Sequence, residues 1–209
     1  MFIKNPVEIE QRSMEIITEE LGPLNFLPEE QTVIKRIIHA TADLELADLI
    51  RIAPGAIDLA IKSLKNGAQV VTDVAMVQAG VNRRLLTTYG GEVRTHIADP
   101  DVVRQAKIDG ITRAMAAMRK AVSDSNNKIF LIGNAPTALF ELLRLIRADR
   151  LGVDLIIGTP VGFVGASESK AELLQSDLPF ITVQGRKGGS AVAAAALNAI
   201  LSLSAGQRS

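Results

Sequence analysis

The sequence predicts an α/β fold: a single domain over residues 1–209, with a mostly parallel sheet flanked by helices and two helices at its N-terminus. Two observations predict this fold. Short runs rich in β-branched residues alternate with helical segments, which is typical of parallel strands joined by helices. Three of the later runs also end in glycine-containing turns that lead into helices, as strands do at the ligand-binding edge of such a sheet.

The two N-terminal helices are predicted over Pro6–Leu21 and Pro28–Ala42. A proline followed by acidic side chains, as in Pro28-Glu29-Glu30, is typical of a first helical turn. Strands are predicted next, at Leu49–Ile52, Gln69–Thr72, Glu92–Ile97, Lys128–Ile132, Asp154–Ile157 and Phe180–Gln184. The helices between and after them are predicted at Ala56–Lys65, Val74–Gln78, Pro100–Ser123, Pro136–Asp149, Ser167–Leu174 and Ser190–Leu203.

The composition argues against several classes of function. Lys+Arg and Asp+Glu are equal at 23 each, and the aromatic residues are six Phe and one Tyr, so neither a basic track nor a set of stacking platforms for nucleic acid is predicted. The chain has no cysteine and two histidines, which excludes disulfides and argues against a zinc site built by the protein. We therefore predict no metal site, and any metal would arrive with the substrate.

The sequence also favours a cytoplasmic address without membrane insertion. The segment from Met1 to Pro6 leads into a charged stretch and lacks the apolar core of a signal peptide. The longest apolar segment, Ala191–Leu203, is too short to span a bilayer and is typical of a tightly packed core helix.

The three glycine-containing turns are the first candidate ligand site. They lie at Gly133–Pro136, Gly158–Pro160 and Gly185–Ser190. In a parallel sheet they would meet at the carboxyl edge, where helix N-termini offer free N–H groups to anions. Arg186 and Lys187 would add two cations suited to carboxylates or phosphates. None of the turns matches a phosphate loop or a dinucleotide fingerprint, and glycines that simply close tight turns would give the same pattern.

The helix predicted over Pro28–Ala42 carries the strongest catalytic candidate. Arg36 and His39 lie on its polar face, opposite an apolar face, and Asp43 follows at the same helical spacing just after its end. Asp43 favours the imidazolium form of His39 and Arg36 disfavours it, a combination suited to general acid–base catalysis. A solvent-exposed helix face has the same pattern, so both interpretations stay open.

Other polar residues are weaker candidates. Arg12 and Ser13, on the first helix, offer a guanidinium and a hydroxyl to an acidic ligand, although a solvent-exposed pair fits equally. Asp73 lies where a predicted strand gives way to a predicted helix, a position typical of functional carboxylates and of helix caps, and we expect a helix cap. His96, at a strand end beside Asp99, is predicted to be structural.

Five segments, in their order and spacing, resemble the precorrin-8X and cobalt-precorrin-8 methylmutases. They are Arg36–Ala40, Thr72–Val77, Gly133–Leu139, Gly158–Lys170 and Gly185–Ser190. The resemblance extends from about Pro6 to the last predicted helix. It implies an isomerase that converts precorrin-8X, or its cobalt complex, to hydrogenobyrinic or cobyrinic acid by moving a methyl group between adjacent carbons at ring C, without an added cofactor.

The resemblance also implies roles for residues and an assembly. His39 matches the family's proposed proton donor, and Ser13 and Arg36 match substrate-binding positions. Arg12 and Arg113 are further candidates for holding the acidic side chains of the substrate, together with Arg186 and Lys187 from the turn analysis. The family arrangement implies a homodimer with substrate near the subunit interface.

Two other functions fit parts of the sequence. A transferase that uses a nucleotide or S-adenosylmethionine would carry its glycine-rich turn after an early strand, whereas the glycine-rich turns lie late in this chain. A non-catalytic tetrapyrrole carrier would need the same anion-binding crevice, and only a turnover measurement separates it from the isomerase.

Overall fold

A six-stranded sheet forms the centre of the structure, a computed structural model that describes residues 4–206. The first three and last three residues of the predicted domain lie outside this range. The strands are β1 Ile50–Ile52, β2 Gln69–Thr72, β3 Val93–Thr95, β4 Asn127–Ile132, β5 Leu155–Gly158 and β6 Phe180–Val183. Their order is β1-β6-β5-β4-β2-β3, with β1 antiparallel to β6 and all other pairs parallel. The predicted mostly parallel sheet is confirmed.

Helices cover both faces of this sheet. They are α1 Pro6–Leu21, α2 Pro28–Thr41, α3 Leu46–Leu49, α4 Ala56–Lys65, α5 Ala75–Gly80, α6 Arg83–Thr88, α7 Pro100–Asp109, α8 Arg113–Ala121, α9 Pro136–Asp149, α10 Ala166–Leu174 and α11 Ser190–Ser204. The two predicted N-terminal helices are confirmed, with α2 ending one residue earlier than predicted because Ala42 adopts the left-handed conformation. The short α3 and α6 lie in segments for which no helix is predicted.

Two apolar cores lie on opposite faces of the sheet. Successive strand residues alternate between them, so that Ile129 faces one core and Phe130 faces the other. Helices α2, α4 and α11 pack in the first core, whereas α7, α8, α9 and α10 pack in the second. Burial on both faces explains why the central strands are continuous apolar runs.

The helix predicted over Pro100–Ser123 is wrong as a single element. Gly110 adopts the left-handed conformation with φ +64° and ends α7, since an L-residue is disfavoured there. Thr112 then begins α8, because its hydroxyl accepts the N–H of Met115 at 3.2 Å. The Gly110-Ile111-Thr112 sequence carries both signals, and the apolar periodicity on either side conceals them.

Helix α11 owes its position to small side chains. Ala193 and Ala196 are fully buried against the sheet. A Cβ atom on Gly80 would lie 2.7 Å from the Ala194 Cβ, so only a glycine at the end of α5 allows α5 and α11 to approach this closely. The alanine-rich segment is the tightly packed core helix that the sequence predicts.

Candidate active site at the carboxyl edge of the sheet

The loops after β5 and β6 meet at the carboxyl edge of the sheet. The N–H of Gly189 donates to the Thr159 carbonyl at 2.8 Å, and the N–H of Gly162 donates to the Arg186 carbonyl at 3.2 Å. Gly188 has φ +148°, and a Cβ there would lie 2.3 Å from the Thr159 oxygen. The predicted gathering of these turns is confirmed, and glycine at position 188 is what allows their close contact.

Asp73 connects the loop after β2 to the loop after β4. Its carboxylate is fully buried and accepts the N–H groups of Gly133, Asn134 and Ala135 at 3.1, 2.8 and 2.7 Å. Burial raises the pKa of Asp73, and the three N–H groups oppose that rise. The predicted cap of the following helix is therefore wrong: Asp73 instead holds the loop after the neighbouring strand β4.

His39 lies on the exposed side of α2, near the carboxyl edge of the sheet. Within the described chain its imidazole makes no side-chain hydrogen bond. Arg36, one turn earlier, contacts the Glu10 carboxylate at 2.8 Å, and Asp43 contacts the Lys187 ammonium at 2.6 Å. The two charged neighbours expected to influence His39 are thus each paired with another residue, which leaves the imidazole free for an external partner.

A cleft of about 520 Å³ adjoins this part of α2. Its floor is the outer face of α11, and its walls come from α1, α2 and the α5–α6 connection. Arg36 and Ala40 line it, so His39 lies next to the cleft rather than in its lining. The Asn198 amide fixes one rim, donating to the Gly80 carbonyl and accepting the Asn82 N–H, both at 2.8 Å.

Ser13 and Arg12 lie on different faces of helix α1. Glu10, Ser13 and Ile17 recur at helical spacing, and Ile17 packs against the first core, so this face of α1 is turned toward α2. The Ser13 hydroxyl donates to the carbonyl of its own helix at Ile9, 2.8 Å away. Arg12 is exposed and contacts Glu15 at 3.0 Å. Ser13 thus lies on the same side of the sheet as His39, whereas Arg12 lies at the solvent face.

Arg113 lies apart from these residues. It is the first residue of α8, exposed, and α8 packs in the second core through Ala114 and Ala117. Helices α1 and α2 lie on the first core instead. A single chain therefore does not bring Arg113 and His39 together on one face of the sheet.

The two cations of the β6–α11 loop have different surroundings. The Arg186 guanidinium is exposed and lies 5.5 Å from the ring centre of Phe163, whose side chain is 83% exposed. The Lys187 ammonium lies 2.6 Å from both Asp43 and Glu45, and these hydrogen bonds raise the pKa of Lys187. Arg186 is open to a ligand anion, whereas two carboxylates already neutralise Lys187.

Two residues of this region were not predicted from the sequence. Glu10 is one; its spacing of three residues from Ser13 was the available signal. The other is Lys170 on α10, which is fully buried and donates from Nζ to the Lys187 carbonyl oxygen at 2.5 Å. Burial lowers the pKa of Lys170 to about 8. A lysine in an amphipathic helix is normally exposed, so no sequence pattern marks this burial.

Residues 4–206 lack both a metal-binding cluster and a membrane-spanning helix. They contain no group of three or more His, Asp or Glu side chains placed to hold a metal ion. None of their helices combines the length and hydrophobicity needed to cross a bilayer.

Fold and site together define a class of protein. It is an α/β protein whose glycine-containing loops meet at the carboxyl edge of the sheet, with a cleft over the outer face of α11, an unpaired histidine beside that cleft, and cations suited to an anionic ligand. Comparison with known proteins narrows this class. The family model for precorrin-8X methylmutase matches residues 8–203. The chain belongs to the precorrin-8X methylmutase family, a family of isomerases.

Individual relatives agree over nearly the whole chain. A cobalt-precorrin-8 methylmutase from Priestia megaterium is 51% identical over 195 residues, which cover 93% of this chain and 87% of that protein. A precorrin-8X methylmutase from Sinorhizobium sp. is 38% identical, with 95% of each chain covered. The crystal structure of a precorrin-8X methylmutase from Thermus thermophilus has a TM-score of 0.87 at 38% identity, covering 96% of this chain and 99% of that one.

Proposed function

We propose that the chain moves a methyl group between adjacent carbons at ring C of precorrin-8X or cobalt-precorrin-8, giving hydrogenobyrinic or cobyrinic acid. The observation that carries this proposal is the exposed, unpaired imidazole of His39 beside a cleft lined by Arg36, in a chain of this family. Substrate and product are isomers, so one C–CH₃ bond breaks, another forms, and no oxidant or reductant is consumed.

His39 is the proposed proton donor. Protonation of the macrocycle interrupts the conjugation that opposes the methyl shift, and return of the proton to His39 after the shift restores both partners. The imidazole can do this because Arg36 and Asp43 are held by other partners and do not bind it. A positioned general acid of this kind contributes roughly 10²–10⁴-fold to a rate.

Arginines and a hydroxyl are the proposed ligands of the substrate carboxylates. Arg36 lines the cleft, Arg186 is exposed at the sheet edge, and Ser13 lies on the α1 face turned toward α2. Guanidinium–carboxylate contacts are charge-assisted and directional, which suits the orientation of a polyanionic ring. Arg12 and Arg113 remain candidates from the resemblance. Lys187 already has two carboxylate partners, so we propose that it supports the site rather than binds substrate directly.

A homodimer would complete the site. Helix α1 has no buried residue in the single chain, and its Val7 and Ile9 side chains are 60% and 43% exposed. Arg113 and His39 lie on different sides of the sheet, so a second copy that supplies Arg113 would join both groups around one substrate. We propose that α1 lies at this interface. The cytoplasmic location stays a prediction.

Complementation between variants tests the shared site. At substrate concentrations well below KM, His39→Ala is expected to be nearly inactive and Arg113→Ala, which loses one carboxylate contact, to keep roughly a tenth of parental activity. A refolded mixture would contain hybrid dimers with one fully intact site. About a quarter of parental activity is then expected, since half of the dimers are hybrid and one of two sites in each is intact. No recovery, or a monomer in sedimentation, would exclude the shared site.

Turnover itself tests the proposed reaction. Ultraviolet–visible spectra of the purified protein with precorrin-8X, and separately with its cobalt complex, follow the change in the chromophore as the methyl group moves. Conversion of either substrate supports the isomerase and shows whether cobalt is needed. Tight binding without conversion of both substrates would support a carrier instead.

A further inference from the structure

Lys170 is a buried cation without a buried anion. Its side chain is fully buried in α10, and the described residues place no carboxylate within 4.0 Å of its ammonium. Its hydrogen-bond acceptor is the backbone carbonyl of Lys187. Removing an ammonium from water without a paired charge is strongly unfavourable. A methionine of similar length would fill the same space without that penalty, so packing alone does not explain a lysine here.

The carbonyl that Lys170 holds lies at the centre of the β6–α11 loop. On one side of it, Arg186 extends into solvent beside Phe163. On the other side, Gly189 donates its N–H to Thr159 at 2.8 Å. The side chain of Lys187 itself reaches Asp43, two residues beyond the end of α2. The Lys170 ammonium therefore fixes the loop at the residue between two functional contacts. Arg186, a proposed substrate ligand, lies directly before this point, and the Lys187 side chain extends from it to Asp43, just after the helix that carries His39.

We propose that Lys170 is a positioning residue for substrate binding: it fixes the Lys187 carbonyl and thereby orients Arg186 toward a carboxylate of the macrocycle. The proposal rests on the proposed function, in which Arg186 binds that carboxylate. Lys170 does not touch the substrate, because its side chain is sealed within the protein. It changes the affinity for substrate only by fixing the conformation of the β6–α11 loop.

This role has a signature that a structural role lacks. Removing an unpaired buried charge is favourable, and this gain offsets the loss of the hydrogen bond to the Lys187 carbonyl. Lys170→Met is therefore expected to unfold at the parental temperature or above it, and yet to bind the macrocycle more weakly. A lysine that only supports the fold would lower the unfolding temperature and the affinity together.

A double-mutant cycle is the test. The affinity for cobyrinic acid, the cobalt-containing product, is measured by spectroscopic titration for the parent, Lys170→Met, Arg186→Ala and the double variant. Lys170→Met is expected to weaken binding about tenfold in the parent, and less than about twofold when Arg186 is already absent, because contacts that act as one unit are not additive. An equal loss in both backgrounds, or no loss in the parent, would overturn the proposal.

Controls separate this proposal from the proposed function. Lys128 also donates to a backbone carbonyl, that of Gly152 at 3.2 Å, but at the opposite edge of the sheet, so Lys128→Met should leave the affinity unchanged. If Arg186→Ala alone has no effect, the proposed substrate ligand is wrong and the role of Lys170 is refuted with it. If Arg186→Ala weakens binding and Lys170→Met does not, the Lys170 proposal alone is refuted.

A second variant covers the case in which Lys170→Met does not fold. Glutamine keeps an N–H donor on a side chain one atom shorter and carries no charge. Lys170→Gln is expected to bind the product with an affinity between those of the parent and Arg186→Ala. Parental affinity in a folded Lys170→Gln protein would contradict a positioning role.

Discussion

Arg36 on α2 contacts Glu10 on α1, with Nη1 and Oε1 2.8 Å apart. The Arg36 side chain is 23% exposed and forms part of the cleft wall. Glu10 therefore holds the Arg36 guanidinium in place at the cleft surface. There a substrate carboxylate can bind the guanidinium together with the Glu10 carboxylate or in its place. This contact makes Arg36 a pre-oriented anion ligand rather than a mobile surface arginine.

Loss of Arg36 should act on binding more than on turnover. Arg36→Ala is expected to weaken product binding about tenfold, because one charge-assisted contact is removed, with a smaller change in kcat. Spectroscopic titration and steady-state rates measure the two effects. Arg94→Ala is the matched control, since Arg94 pairs with Glu92 at 2.7 Å on an exposed edge strand. Similar losses in both variants would refute a specific role for Arg36.

The buried Asp73 carboxylate should contribute strongly to stability. Asp73→Asn replaces two acceptor oxygens by one and places an amide donor against three backbone N–H groups, so we expect a loss of about 2–4 kcal/mol in the free energy of unfolding. Urea denaturation measures it. Asp124→Asn is the control, because Asp124 accepts one N–H at an exposed turn and should change stability by less than about 1 kcal/mol.

Two glycines of one loop separate backbone strain from steric contact. Gly185 has φ +74° and open space around its Cβ position, so Gly185→Ala should lower the free energy of unfolding by only about 1 kcal/mol. Gly188→Ala would place a Cβ 2.3 Å from the Thr159 carbonyl oxygen and should lower it by at least about 2 kcal/mol. Equal losses in thermal or urea unfolding would show that the loops after β5 and β6 do not meet as described.

Glu141 should make stability depend on pH in acid. The hydrogen bond from Arg144, with a second from Arg119, lowers the pKa of Glu141 from 4.5 to about 2. A lowered folded-state pKa stabilises the protein above pH 4.5, and that stability is lost as the pH falls toward 2. Glu141→Gln should therefore cost about 1–3 kcal/mol at pH 7 and much less near pH 2.

Denaturation curves at several pH values test this dependence. Glu172→Gln is the control, because Glu172 pairs with Arg147 at the surface, where an ion pair contributes less than about 1 kcal/mol. A difference between the parent and Glu141→Gln that stays constant from pH 7 to pH 2 would exclude the proposed ionisation of Glu141.

The sequence predicts those features that depend on local pattern. The strands and most helices follow from hydrophobic periodicity and glycine or proline punctuation, and the meeting of the loops at the sheet edge follows from parallel topology. The break at Gly110 was missed because apolar spacing continues across it. Ion pairs between residues far apart in sequence could not be predicted from local pattern. The Arg36–Glu10 and Lys187–Asp43 pairs form only because whole helices and loops pack together.

Substitution of each histidine in turn tests the central claim most directly. The rate of precorrin-8X conversion is measured for the parent, His39→Ala and, as the matched control, His96→Ala, whose imidazole is held by Asp99 at 2.8 Å. We predict that His39→Ala loses at least about 100-fold in turnover while its substrate affinity changes little, as expected for a proton donor, and that His96→Ala keeps most of its turnover. Unchanged turnover in His39→Ala would contradict the assignment of His39 as the catalytic acid.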